Sequence, residues 1–260
     1  MGLKNELITV LAQRQTIVGL VIKNLKAKYV ESRLGIFWAI INPLLMMFAI
    51  MLVFTQIMKT EIKLFPLFVL SALLPWFFFI NSVSEATVSM KKNADLLSQF
   101  IINRKIIPIS VVLSNFINFI FGLILVFPFF VISNFEITRY ILLLPLIMLF
   151  HLVFTLGISL LVSIGNVYFK DLEQMLGVGI MFLFWITPIF YAPESIPANY
   201  RAIIFANPAT CYVVIYRNLL YQGTAGNLNL WFLAAGFSLA AIAIGYILFV
   251  KKESNILKFI

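Results

Sequence analysis

Between Leu34 and Met58 the chain carries no charged side chain, and comparable uncharged tracts run over 64–84, 106–135, 140–169, 174–193 and 230–250. About 20 mostly apolar residues suffice for a helix to cross the hydrocarbon core of a bilayer. Inside lipid every backbone amide needs a partner, which a helix supplies within the segment itself. The pattern therefore predicts an all-α polytopic membrane protein, one transmembrane domain over 1–260. Its six transmembrane helices are expected at 34–58, 64–84, 107–133, 140–166, 174–192 and 230–250. The chain is 62% hydrophobic and 11% charged, more apolar surface than a soluble core of 260 residues can hide.

Positive charge orients the spans. Fourteen of the 19 Lys and Arg side chains fall in the first segment, the second and fourth loops, and the final segment. Only Lys59, Lys63, Arg139, Arg201 and Arg217 fall on the other side. The positive-inside bias then puts both termini in the cytoplasm. In a soluble protein a net charge of +9 would suggest nucleic acid; here it reads as cytoplasmic loops on anionic headgroups. No cleavable signal pattern precedes the first tract, so the spans are expected to be retained. No internal repeat of the kind that builds secondary carriers is visible.

Three segments do not fit a plain six-span bundle. Over 1–33, Leu3, Leu7, Leu11, Val18, Val21, Ile22 and Leu25 recur at helical spacing, with Arg14, Lys23, Lys26 and Lys28 mostly off that stripe. This predicts a helix lying in the cytoplasmic interface, the alternative being a solvated leader. Over 90–106, "MKKNADLLSQFIINRK" places basic pairs around a short helix-compatible stretch, suited to docking on a partner or to anchoring in headgroups. Over 194–229 the chain is long and apolar for a loop. Pro197, Pro208 and Gly223 punctuate it into two short helices that dip in and return. Irregular backbone at such depth has to be buried in protein or face a water-filled cavity.

The chemistry of an enzyme is missing. His151 is the only histidine and has no cluster of His, Cys or carboxylates beside it, so no metal site is expected. A hydrogen-bonded structural role suits it better, although an ionisable group inside a span always raises a functional question. Glu85 and Asp95 do not form an acid/base pair. Cys211, alone, forms no internal disulfide. The sequence contains no G-x-x-x-x-G-K-[ST] loop, so ATP-driven work would need a separate ATP-binding chain.

The stretch "KYVESRLGIFWAIINPLLMM" resembles the approach to the first span in the membrane subunits of ABC-2 type polysaccharide exporters, which move O-antigen, capsular polysaccharide or teichoic acid. "LPWFFFINSV", "NADLLSQFIINRKIIPIS", "VYFKDLEQML", "FWITPIFYAPESIP" and "NPATCYVVIYRNLLYQG" continue the resemblance in order over nearly the whole chain. Lys170 departs from it, since the family more often has Arg before Asp-Leu. The resemblance implies a homodimeric permease for a lipid-linked, O-antigen-like polysaccharide in the bacterial cytoplasmic membrane. It also implies two copies of a separate ATPase subunit that binds ATP and Mg, with no cofactor in this chain and no nucleic-acid partner. It further implies an interfacial N-terminal helix, a coupling helix after span two, and two re-entrant helices after span five. A teichoic acid, drug or lipid cargo is the alternative within the family. A membrane-embedded transferase lacks the catalytic groups it would need.

On this resemblance, Lys91, Lys92, Leu96, Leu97, Phe100, Arg104 and Lys105 are the candidates for contact with the ATPase, headgroup anchoring being the other reading. Lys170, Asp171 and Glu173 form a second contact. Arg33, Leu34, Gly35, Trp38 and Pro43 mark the joint into the first span, with Gly35 either a hinge or a site of close packing. Phe190, Tyr191, Tyr200, Tyr212 and Tyr216 are candidates for sugar-facing surfaces in the conduit, or members of an ordinary interfacial aromatic belt.

Overall fold

The computed structural model describes residues 13–29, 37–57, 59, 62–100, 102–132, 138–253 and 256. All regular structure among them is helical. The elements are α1 (Arg14–Tyr29), α2 (Trp38–Met51, continued by a π-helical stretch Leu52–Ile57), α3 (Phe65–Lys92), α4 (Ala94–Gln99) and α5 (Ile106–Ile132). They continue with α6 (Leu144–Tyr168, led in by a 3₁₀ turn Arg139–Leu143), α7 (Leu172–Ile186), α8 (Ala198–Ala206), α9 (Pro208–Arg217, continued by a π-helical stretch Asn218–Gln222) and α10 (Leu228–Glu253).

Four of the described helices are long and apolar enough to cross a membrane: α3, α5, α6 with its lead-in turn, and α10. The α8–α9 pair passes the same test only as one unit bent by 102°. The segments expected as first and fifth spans are shorter. The α7 helix has 15 residues. It stops at Ile186 because Thr187 precedes Pro188 and is driven to an extended conformation, ψ 131°. Along α2 the hydrogen-bond register widens into the π stretch after Met51.

The bundle is organised around α3. Seventy-eight per cent of its most apolar window is buried, against 28% for α6 and for α10. Phe68, Val69, Leu73, Trp76, Phe78 and Val83 of α3 meet α5, α6 and α9 in one core. The α6–α10 contact is the most extensive between described helices. Gly157 and Gly245 bring the two backbones together, and a Cβ on Gly157 would run into the backbone of Ala241 and Ile242. Lipid tails offer no hydrophobic drive for such a pairing, so small residues that admit close packing supply it.

The α1 helix, expected to lie in the membrane interface, packs against the bundle. Leu20 and Val21 are buried, Leu25 is half-buried, and the helix packs along α5. Val18 and Ile22, from the same expected apolar stripe, remain exposed. The difference comes from polar ties that set the rotation of the helix. Asn24 donates to Ser110 Oγ at 3.3 Å, and Lys28 reaches Asn115 and Glu85. Lys28, expected mostly off the apolar stripe, is on the packed face.

The two ends of the bundle separate the charges. One gathers the C-terminal ends of α3, α6 and α10 with the starts of α5 and α1, where Asn103 N donates to Gln13 Oε1 at 3.1 Å. There Tyr168 donates to the Lys252 carbonyl at 2.6 Å, and Lys23 donates to Asn93 at 3.1 Å. At the other end Tyr221 donates to the Lys63 carbonyl at 2.6 Å, and Thr138 lies against Gly223. The basic-rich loops share the first end.

Candidate functional site

The expected coupling segment folds as a base and an exposed tip. Its short helix is α4. Leu97 points inward onto Met90, Ile107, Leu160, Ile164, Val167, Phe249 and Ile256, and Leu96 packs half-buried against the same group. Lys92 and Phe100 face outward, Phe100 at 59% exposure, while Lys91 is half-buried.

Arg104 and Lys105 lie at the base, Arg104 half-buried and Lys105 buried. Lys105 is 3% exposed. Its ammonium is 3.1 Å from a Glu253 carboxylate oxygen and faces the rings of Tyr246 and Phe249. Arg104 donates to the Glu253 backbone carbonyl. These two cations therefore clasp the start of α5 to the end of α10. Neighbouring residues on the turn into α7, Phe169, Lys170, Asp171 and Glu173, are exposed.

Arg33, Leu34 and Gly35 lie outside the described residues. Trp38 opens α2 with its side chain exposed, and Pro43 lies within that helix.

The aromatic candidates occupy three different environments. Tyr200 is on the outer face of α8, 60% exposed. Phe190 is buried in a ring cluster with Phe54 at 5.1 Å, Trp185 at 5.4 Å and Phe184 at 5.8 Å. Tyr191 is half-exposed and donates to the Ile186 carbonyl at 2.7 Å. Partial burial pushes its phenol up, an effect that the Arg217 charge opposes.

Tyr212 and Tyr216 are each 0% exposed and face the core of the bundle. The Tyr212 ring stacks on His151 at 4.7 Å and lies 5.1 Å from Phe154, and its hydroxyl bonds to the Ala234 carbonyl at 2.8 Å and to Ser238 Oγ at 2.7 Å. Tyr216 stands 5.6 Å from Phe119 and 5.7 Å from His151. His151 is thus boxed by rings, Phe78 included, and its Nδ1 has no hydrogen-bond partner. Ring packing, where a hydrogen bond was expected, is what the structure gives this nitrogen.

The bend between α8 and α9 has a local cause. Pro208 cannot donate into the preceding helix, and it drives Asn207 out of the helical region. Asn207 then caps α9, its Oδ1 accepting from Ala209 N at 3.0 Å, while its Nδ2 donates to Thr187 Oγ1 at 2.9 Å. The unit ends at Gly223, whose φ of 65° favours glycine.

Four residues at these sites were not singled out from sequence: Asn115, Asn207, Arg217 and Glu253. For Arg217 a signal was present. It interrupts the apolar run "CYVVIYRNLLY", yet served only as a loop charge in the topology count.

The fold is that of a multi-pass helical membrane protein, with clasped helix ends on one side and a bent apolar pair on the other. Residues 15–221 match the family described as ABC-2 type transporter, and the chain belongs to that family as a membrane permease subunit. It is similar to the O-antigen export system permease protein RfbA of Klebsiella pneumoniae, 32% identical over 203 residues, covering 78% of each chain. Its similarity to the protein of the same description from Myxococcus xanthus is 31% over 211 residues, 80% of this chain and 81% of that one. The polysialic acid transport protein KpsM of Escherichia coli is 24% identical over 256 residues, 94% of this chain and 96% of the relative.

Proposed function

We propose that this chain forms the conduit of an ATP-driven exporter that carries a lipid-linked, O-antigen-like polysaccharide across the bacterial cytoplasmic membrane. The observation that carries this reading is the match to O-antigen export permeases over 78% of both chains, beside the family match over residues 15–221. The chain acts as a homodimer with two copies of a separate ATPase subunit, which binds ATP and Mg. Both termini face the cytoplasm. The α2 helix with its π stretch, and α7, serve as short first and fifth spans, giving six in all. The α8–α9 pair is re-entrant and closes the extracytoplasmic end.

ATP binding draws the two ATPase subunits together, and their motion is received by Lys92, Phe100 and the turn Lys170–Glu173. Lys105 and Arg104 supply the rigid base through Glu253, and Lys28 carries the movement into α1. On the other side, Tyr200 and Tyr191 offer amphipathic rings for repeated weak contact with sugar faces. Tyr212 and Tyr216 hold α9 in place from within. Weak, multiple contacts suit a conduit that must release what it binds.

The test has two stages. Extraction from the native membrane in mild detergent is expected to bring along an ATP-hydrolysing subunit. Depletion of the chain is then expected to remove radiolabelled surface polysaccharide. Intact surface polysaccharide after depletion would refute the cargo.

A further inference from the structure

Arg217 is 1% exposed, and among the described residues no carboxylate lies within ion-pair distance of it. A buried charge costs several kcal/mol unless hydrogen bonds replace its water. Here the guanidinium donates to the Ile189 carbonyl at 2.6 Å and to the Tyr191 carbonyl at 3.3 Å, and it covers the Phe68 ring at 3.8 Å. Its Nε has no hydrogen-bond partner. The two carbonyls belong to the 187–192 turn between α7 and α8, and Phe68 belongs to the first turn of α3. One side chain at the end of α9 therefore joins three elements at the same end of the bundle.

An apolar side chain would fill this volume at lower cost. What the guanidinium adds is a planar fork that engages two acceptors at once. Both acceptors are neutral, so water competes well for the same donors. The contact is tight while the site is dry and is given up readily once water reaches it.

We propose that Arg217 is a positioning residue that holds the 187–192 turn against α9 in the resting protein, keeping the extracytoplasmic end shut. It lets the turn go when water enters during export. This rests on the conduit reading above.

The permease–ATPase complex, reconstituted in proteoliposomes without ATP, is assayed for leak of an entrapped small dye per assembled complex. Arg217→Met, which keeps the bulk and removes the donors, is expected to leak about tenfold faster than wild type, with Arg217→Lys in between. An assembled Arg217→Met complex as tight as wild type overturns the proposal. A merely structural role would lower the amount of complex and leave the leak per complex unchanged. Where Arg217→Met does not assemble, amide hydrogen exchange over 187–192 in the wild-type complex decides. Faster exchange in the ATP-trapped state than in the nucleotide-free state supports the latch, and equal exchange overturns it. The dye is not the cargo, so failure of the polysaccharide reading alone would leave the leak result unchanged.

Discussion

The Lys28 ammonium stands 2.8 Å from a carboxylate oxygen of Glu85, which ties the end of α1 to the last third of α3. Asn115 of α5 closes the ring. Its Oδ1 accepts from Lys28 at 2.7 Å, and its Nδ2 donates to Glu85 at 3.0 Å. Three helices thus share one polar knot.

Reversing either charge should break the knot, and reversing both should restore it. Because the pair is partly exposed, each of Lys28→Glu and Glu85→Lys is expected to lower the thermal midpoint by only about 2–4 °C, the effect of roughly 1 kcal/mol. The double reversal is expected to recover most of that loss, and with it the polysaccharide exported per ATP hydrolysed. A double variant no better than the worse single variant would separate the pair from coupling.

The two apolar residues of the coupling segment should behave oppositely. Leu97→Ala removes packing from a buried site and is expected to cost about 2–5 kcal/mol, read as lost folded protein. Phe100→Ala, on the exposed tip, is expected to leave folding intact and to reduce co-purification of the ATPase several-fold. Normal co-purification by Phe100→Ala would take the tip out of the interface.

Hydropathy tells how deep a residue sits and says little about which way it faces. The uncharged tracts made the helical class legible, while of the six expected spans four described helices are long and apolar enough, or five if the bent pair counts as one. Pro197, Pro208 and Gly223 made the broken unit over 198–222 legible, because each has a backbone consequence that no tertiary contact can undo. Lys105 was not legible as a buried clasp, since its partner Glu253 lies at the far end of the chain. Nor were Tyr212 and Tyr216. Where a helix is buried all round, as α9 is over 209–217, only its neighbours decide that these rings meet His151 and not an open surface.

Tyrosines on the bent pair should therefore divide by burial. Tyr212→Ala leaves a large void beside His151 and is expected to destabilise the protein by about 3–5 kcal/mol, as lost aromatic packing does elsewhere. Tyr212→Phe keeps the ring and forfeits the bonds to Ala234 and Ser238, with an expected loss of about 1 kcal/mol. Tyr200→Ala should leave stability unchanged and slow export. Thermal unfolding in detergent beside a surface-polysaccharide assay checks all three.

The α6–α10 crossing admits no side chain. Gly157→Val is expected to abolish accumulation of the protein in the membrane, because the added atoms meet backbone that cannot rotate away. Gly179→Ala on α7, where a Cβ meets nothing within 4 Å, is expected to be tolerated. Immunoblotting of membrane fractions distinguishes the two.

The central claim is that this polypeptide supplies a passage and draws its power from another chain. Reconstitution of the purified permease into liposomes, alone and with the ATPase subunit that accompanies it, tests this directly by following lipid-linked polysaccharide across the bilayer. Movement that requires both the second subunit and ATP is the predicted result. ATP-driven movement by the permease alone would contradict it.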